Sequence, residues 1–334
     1  RKRNGKVTEF EKNKIVNAIN KALSAVSDSD LELSERLTSG VVDKLSIQGF
    51  SLENPPSVED IQDMVESTLI EQEHGDIAKA YILYRHERRK IRDEKMRVLN
   101  TGDLDSVAKS FDLNCLRVLA SRYLFRNNKN EITERPSQLF ERVSVLITIG
   151  DLLHDSSIFS KDGNITQDIK EAEEYLTKLD HFDYKFKLGE HYINKWHFRS
   201  LINLYTDLAS KGKMKIGFKD LLTKLAAKEF DSYADKVTEY YELMTSQVFL
   251  PNSPTMMNAG GRLGQLSACF VLGMPDDMAQ IMKTTSDAAL IFKSGGGVGI
   301  NYSELREEGD IVASTSGVAS GPVSIMNIIN TDKD

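Results

Sequence analysis

The chain has 334 residues, 28% of them charged, and a formal net charge of -7 at pH 7. A length of this order exceeds what one hydrophobic core usually serves, so two or more domains are expected. The acidic balance argues against general affinity for nucleic acid or anionic membranes. Cys115 and Cys269 are too few for a disulfide framework, no run approaches the ~20 apolar residues of a membrane span, and the opening RKRNGKVTEF leads into no signal-peptide core, so a cytoplasmic protein is expected.

Residues 1–99 read as one unit. Asn4-Gly5 signals a hairpin turn, because both residues tolerate positive φ, with Val7 and Phe10 as apolar anchors. Helical spacing of Ile15, Ile19, Ala22, Leu23 and Val26 predicts a first helix, and Leu37, Val41 and Leu45 a second over Leu31–Ile47. After NPPS, Ser57 and Asp60 form a capping-box signature for a third helix that buries Ile61, Met64, Val65 and Leu69. Asp76 is expected to cap a fourth, whose later half is basic through Arg85, Arg88, Arg89, Lys90 and Arg92. Such a charge run is commonly a solvated face; the other reading is that hairpin and helix converge on a polyphosphate.

From TGD at 101–103 the pattern is helical to about residue 248. Leu116, Leu119, Ala120 and Tyr123 share a stripe, and a new helix starts after Pro136. Cys115 reads as a buried structural thiol. No pair of histidines has ligand spacing, so no protein-bound metal is indicated. The aromatic stretch around Trp196 reads as helix packing.

In the last region, Pro251 and Pro254 predict an extended segment presenting Asn252 and Ser253, and Gly260, Gly261 and Gly264 a tight turn. SACFVL alternates as a half-buried strand carrying Cys269, which alone reads as a packed small side chain. A helix is expected over about 276–293, with Met278, Ile281, Met282, Ala289 and Phe292 on its apolar face. SGGGVGINY then runs from a glycine loop into a strand, which fits neither a Rossmann fingerprint nor a P-loop.

Two sets of motifs resemble a known family. KRNGKVTEFEKNKIVNAI, VEDIQDMVE and AKAYILYRHERRKIR resemble the ATP-cone, the regulatory nucleotide-binding module of ribonucleotide reductases. That resemblance implies ATP or dATP held by Lys2, Arg3 and Lys14, with help from Arg88, Arg89 and Lys90. PNSPTMMNAGG, QLSACFVL, SGGGVGIN and VASGPVSIM resemble the start of the ten-stranded α/β barrel of the catalytic subunit, most closely the adenosylcobalamin-dependent class. The implied fold is α+β and mostly α: a cone of β-hairpin plus four helices at 1–99, a helical domain at 100–248, and the first part of the barrel at 249–334.

The implied activity is conversion of ribonucleotides, expected as diphosphates, to deoxyribonucleotides for DNA replication by thiyl-radical chemistry. Cys269 resembles one member of the reducing pair that becomes a disulfide. Ser253, Ala268, Gly296 and Gly297 match substrate contacts, and Asp276, Asp277 and Arg306 match the site where a dNTP effector sets specificity. Residues 314–321 resemble the loop that reports effector identity. Implied partners are the C-terminal half of the reductase, a second copy in a homodimer and a thioredoxin-like reductant. No radical cysteine is assignable before Asp334, so the expectation is a natural split subunit or a truncation that binds nucleotides but lacks reductase activity alone. The alternative is a non-catalytic nucleotide-binding regulatory or scaffold subunit. A zinc-ribbon regulator, which would need paired CxxC motifs, finds none here.

Overall fold

Four helices make the first region: α1 (Lys12–Leu23), α2 (Leu31–Ile47), α3 (Val58–Glu71) and α4 (Gly75–Leu99). The computed structural model describes residues 1–2, 5–27, 30–51, 53–181, 185–312 and 316–332. Apolar side chains one turn apart face inward on each helix. Ile15, Ile19, Leu37, Val41, Val65, Leu69, Ile77 and Tyr81 meet in a single core. Helix starts are fixed by side chains that accept from otherwise unpaired backbone amides. Asp30 accepts from the Leu33 amide at 2.9 Å, and the Ser57–Asp60 box forms in both directions.

Three expectations for this region need correction. Asp76 is no cap: α4 starts at Gly75 behind His74, and Asp76 lies in its first turn. Val7 and Phe10 are exposed, so they anchor nothing in the core, and Val26 lies exposed beyond the end of α1 at Leu23. The Lys2 amide donates to the Lys6 carbonyl at 2.8 Å, but no strand occurs among the described residues of 1–11. Arg3 and Asn4 lie outside the described residues.

Short helices α5 (Ser106–Ser110) and α6 (Leu113–Arg122) follow, and the chain divides into two compact units, Arg1–Ala120 and Ser121–Asp334. Cys115 on α6 is half-buried rather than enclosed. Burial and then Asp112, whose carboxylate also caps the helix at the Cys115 amide, raise its thiol pKa.

The second unit is built on α7 (Pro136–Leu153). Pro136 opens it where a missing N–H costs nothing. After α8 (Lys170–Thr177) and a two-residue hairpin, β1 (Lys187–Leu188) with β2 (His191–Tyr192), come α9 (Lys195–Ser210), α10 (Phe218–Ala226) and α11 (Tyr233–Thr245). Their core includes Phe198, Tyr205 and Phe218, with the rings of Tyr205 and Phe218 edge to face at 5.0 Å.

Residues 249–332 add α12 (Ser253–Asn258), β3 (Cys269–Gly273), α13 (Met278–Lys293), β4 (Gly297–Asn301), a second hairpin of β5 (Ile311–Val312) and β6 (Gly317–Val318), and α14 (Gly321–Asp332). The expected extended LPNSPT segment is a helical turn instead. Asn252 accepts from the Thr255 amide at 3.0 Å, and proline suits a first helical turn. Strands β3 and β4 run parallel with α13 as crossover, and the three sheets of the described residues have two strands each. On α13 the buried face is Ile281, Thr284, Thr285 and Ala288; Met278 and Met282 are exposed. Among the described residues no helix is long and apolar enough to cross a membrane.

Candidate functional site

Charge gathers on one side of the four-helix region. A cavity of about 390 Å³ is lined by Tyr81, Tyr84, Arg85, Arg88, Arg89, Arg92, Lys95 and Lys109, with Glu59 its one carboxylate. These four arginines follow from the α4 sequence, where positions 85, 88, 89 and 92 recur at three- and four-residue spacing and so share a face. They are not equivalent. Arg85 is held by Asp63 and Glu66, each at 2.6 Å, whereas Arg88 lies over the Tyr84 ring at 5.9 Å. A cavity of this size, walled by cations and two phenol rings, suits a polyanion with an aromatic part.

The other cone residues named from sequence scatter. Lys2 lines a second cavity, of about 370 Å³, with Val58, Arg92, Met96, Leu104 and Lys109. Lys14 is exposed and pairs with Glu11 at 2.5 Å, and Lys90 is exposed. Neither lines these two cavities.

In the second unit, strand register brings several named residues together. Cys269 pairs opposite Gly297, and the Gly297 amide donates to the Ala268 carbonyl at 2.6 Å. The Cys269 side is exposed. At Gly296 an added Cβ would stand 2.7 Å from the Ile291 side chain and 2.9 Å from Phe270, so packing alone already requires glycine. At Gly297 the nearest atom to a Cβ is the Ala268 carbonyl oxygen, 3.6 Å away, an ordinary contact, so packing does not by itself require glycine there.

Ser253 is exposed at the start of α12, and its hydroxyl shares a 3.0 Å hydrogen bond with the Tyr123 hydroxyl. Asp277 caps α13 by accepting from the Gln280 amide at 3.0 Å. Asp276 instead meets Arg306 at 2.6 Å, so two residues from separate segments form one half-exposed ion pair. Residues 314 and 315 of the expected reporting loop lie outside the described residues.

Sequence reasoning missed the clamp that holds α12. Arg142 is buried on α7 and bonds Glu134 at 2.6 Å, the Ala259 carbonyl at 2.6 Å, and the Tyr123 and Met256 carbonyls at 3.1 Å each. Its guanidinium also covers the Phe125 ring at 3.9 Å. A signal was present, since Arg142 falls at helical spacing between Leu139 and Leu146, on an apolar stripe where a cation must have partners.

Beside the clamp, His197 is buried. Its Nδ1 accepts from the Asn194 amide at 3.2 Å, so Nε2 carries the proton and donates to the Arg142 carbonyl at 2.8 Å. Burial depresses its pKa to about 4, with the Arg142 charge adding to that. Gly260, at φ +65°, comes so close that a Cβ would stand 2.3 Å from His197 Nε2. Among the described residues no group of three or more His, Cys, Asp or Glu could hold a metal ion.

Three family models match successive parts of the chain. The family described as ATP cone domain matches residues 1–90, that described as ribonucleotide reductase, all-alpha domain, matches 109–185 and 221–264, and ribonucleotide reductase, barrel domain, matches 267–333. A vitamin B12-dependent ribonucleoside-diphosphate reductase of Thermoplasma acidophilum is 38% identical, over 100% of this chain and 40% of the relative. One of the same description from Mycobacterium tuberculosis is 27% identical, over 99% of this chain and 36% of the relative. A ribonucleoside-diphosphate reductase subunit alpha of Bacillus subtilis is 31% identical over 47% of this chain and 24% of its own length. The chain thus spans about two fifths of the length of the first of these relatives. With a cone, an all-alpha domain and the beginning of a barrel domain in that order, the chain belongs to the ribonucleotide reductase large-subunit family.

Proposed function

We propose that the chain serves in a vitamin B12-dependent ribonucleoside-diphosphate reductase, with residues 1–99 as its effector module and 249–332 opening a ten-stranded α/β barrel. The names of the relatives suggest the reaction. The observation that carries it to this chain is the exposed Cys269 thiol on β3, in register with Gly297. A nucleotide sugar can approach that strand pair without an intervening side chain at Gly297.

In the chemistry the family resemblance implies, a thiyl radical removes the 3'-hydrogen and the 2'-hydroxyl leaves as water. Two thiols supply two electrons and close as a disulfide. Cys269 is one of those thiols in this reading, and its accessibility suits thiol–disulfide exchange with a dithiol reductant of thioredoxin type. Ser253, steadied by Tyr123, and the backbone at Ala268, Gly296 and Gly297 contact the substrate. The Asp276–Arg306 pair opens to let Arg306 take an effector phosphate, and Asp277 keeps its capping role while facing the effector. ATP or dATP binds the cone through Arg88, Arg89 and Lys2.

Vitamin B12, when bound, supplies the initiating radical. The two cavities described above, of about 390 and 370 Å³ and lined by cations, do not fit a corrin. A second copy, the rest of the barrel and a cytoplasmic setting complete the proposal. The test is reduction of a ribonucleoside diphosphate by the longest polypeptide in which this chain occurs, supplied with adenosylcobalamin and a dithiol. The expected product is the deoxyribonucleoside diphosphate, at a rate that responds to ATP. No product, or product formed independently of cobalamin, would contradict the proposal.

A further inference from the structure

The segment after α4 enters the charged cavities of the first unit. Leu104 and Lys109 line both of them, together with Arg92, although one cavity carries Arg88 and Arg89 and the other Lys2. The wall Arg92–Leu104–Lys109 is therefore what the two basic clusters have in common. All three of its members lie beyond residue 90, where the match to the ATP cone domain ends.

Lys95 fixes this wall. Its side chain is 7% exposed, and its ammonium donates to the Ala108 carbonyl at 3.0 Å, the Lys109 carbonyl at 3.1 Å and the Phe111 carbonyl. These carbonyls end the short helix α5 and would otherwise lack partners. Asp105 closes the other end by accepting from the Ala108 amide at 2.7 Å. Leu104, buried, and the clasped carbonyls hold the Lys109 backbone in place while its side chain stays exposed toward the cavities. Burial, and after it the nearby Arg88 charge, lowers the Lys95 pKa. A polyanion beside Arg88 would favour the charged clasp.

We propose that residues 102–111, clasped to α4 by Lys95, are a wall of the nucleotide site, and that Lys109 contacts the phosphates of a bound nucleoside triphosphate. The ligand then touches the segment that leads out of the cone as well as the cone itself. This rests on reading the cone as an effector site. Lys95 is a positioning residue, since its ammonium is committed to three carbonyls.

The test is calorimetric titration of the whole chain with ATP and, separately, with adenosine. Lys109→Glu is expected to weaken ATP about tenfold, by replacing an attractive charge with a repulsive one, and to leave adenosine unchanged. Lys95→Met is expected to weaken ATP with Lys109 intact, and to abolish ATP-dependent slowing of amide exchange at residues 108–111. Because Lys109 is exposed, its variant stays folded even if Lys95→Met does not. ATP binding by Lys109→Glu within twofold of the unmodified chain would overturn the proposal and leave the cone reading standing. An unmodified chain that binds no ATP would overturn both.

Discussion

In residues 1–99 a twelve-residue apolar core closes among four helices, and the candidate site is a set of cations along a cavity at its side. Among the described residues of 249–332, Met274, Ile281, Ile325 and Ile329 form a small buried apolar cluster, and the candidate site is a matter of register between two strands. Val271 on β3 is 83% exposed, so that sheet holds little of its own apolar surface. The first site is thus made from side-chain charges on an independent core. The second depends on backbone placed by contacts elsewhere in its unit, above all the Arg142 clamp on α12. Single charge losses should weaken the first by degrees, and loss of one buried cation should undo the second.

The largest effect is expected from Arg142→Met. It strands the Glu134 carboxylate and three carbonyls, and breaking a buried pair costs about 3–5 kcal/mol. Thermal melting followed by amide exchange should show the loss within residues 121–332, with protection of Leu37 and Leu69 unchanged. Equal loss in both units would break the contrast.

A pH effect of somewhat smaller size is expected from His197. Its folded pKa of about 4 lies below the usual value of 6.5, so the unfolded chain binds the proton first as pH falls. Stability of the second unit is therefore full above about pH 6.5 and declines toward pH 4, by up to about 3 kcal/mol. His197→Gln should flatten that slope in denaturant titrations, and an unchanged slope would count against the burial argument.

Gly296→Ala sharpens the account of the strand site. Its Cβ would meet Ile291 and Phe270, an overpacking cost of about 1–3 kcal/mol. Gly297→Ala has more room and should fold nearly as well, so any defect it shows in substrate use is not a packing defect. The smallest effect belongs to Asp276 and Arg306. As a half-exposed pair they should couple by about 0.2–1 kcal/mol in a double-mutant cycle of stability. A much larger coupling would argue that the pair is structural rather than available to an effector.

Local signals explain which parts of this were legible. Helix α2 follows from Leu37, Val41 and Leu45, α3 from the Ser57–Asp60 box, and β3 from the alternation through Cys269, Phe270 and Val271, because each depends on neighbours a few residues away. The basic face of α4 was visible for the same reason, but not which arginine is neutralised, since Asp63 and Glu66 lie on another helix. Proline suggested an extended chain at 251–254, where Asn252 turns it into a helix start. Lys95, Arg142 and His197 act through carbonyls and amides distant in sequence. Composition marks such residues only as oddities on an apolar face.

That Cys269 delivers electrons to the substrate is a proposal about an exposed thiol. It is tested most directly by its redox state across one turnover. The longest polypeptide carrying this chain is prereduced, freed of dithiol, mixed with adenosylcobalamin and a ribonucleoside diphosphate, then treated with an alkylating reagent and mapped by mass spectrometry. Cys269 is expected to be alkylated before turnover, protected as a disulfide after it, and alkylatable again on adding dithiol. Deoxyribonucleotide formed while Cys269 remains fully alkylatable would contradict it.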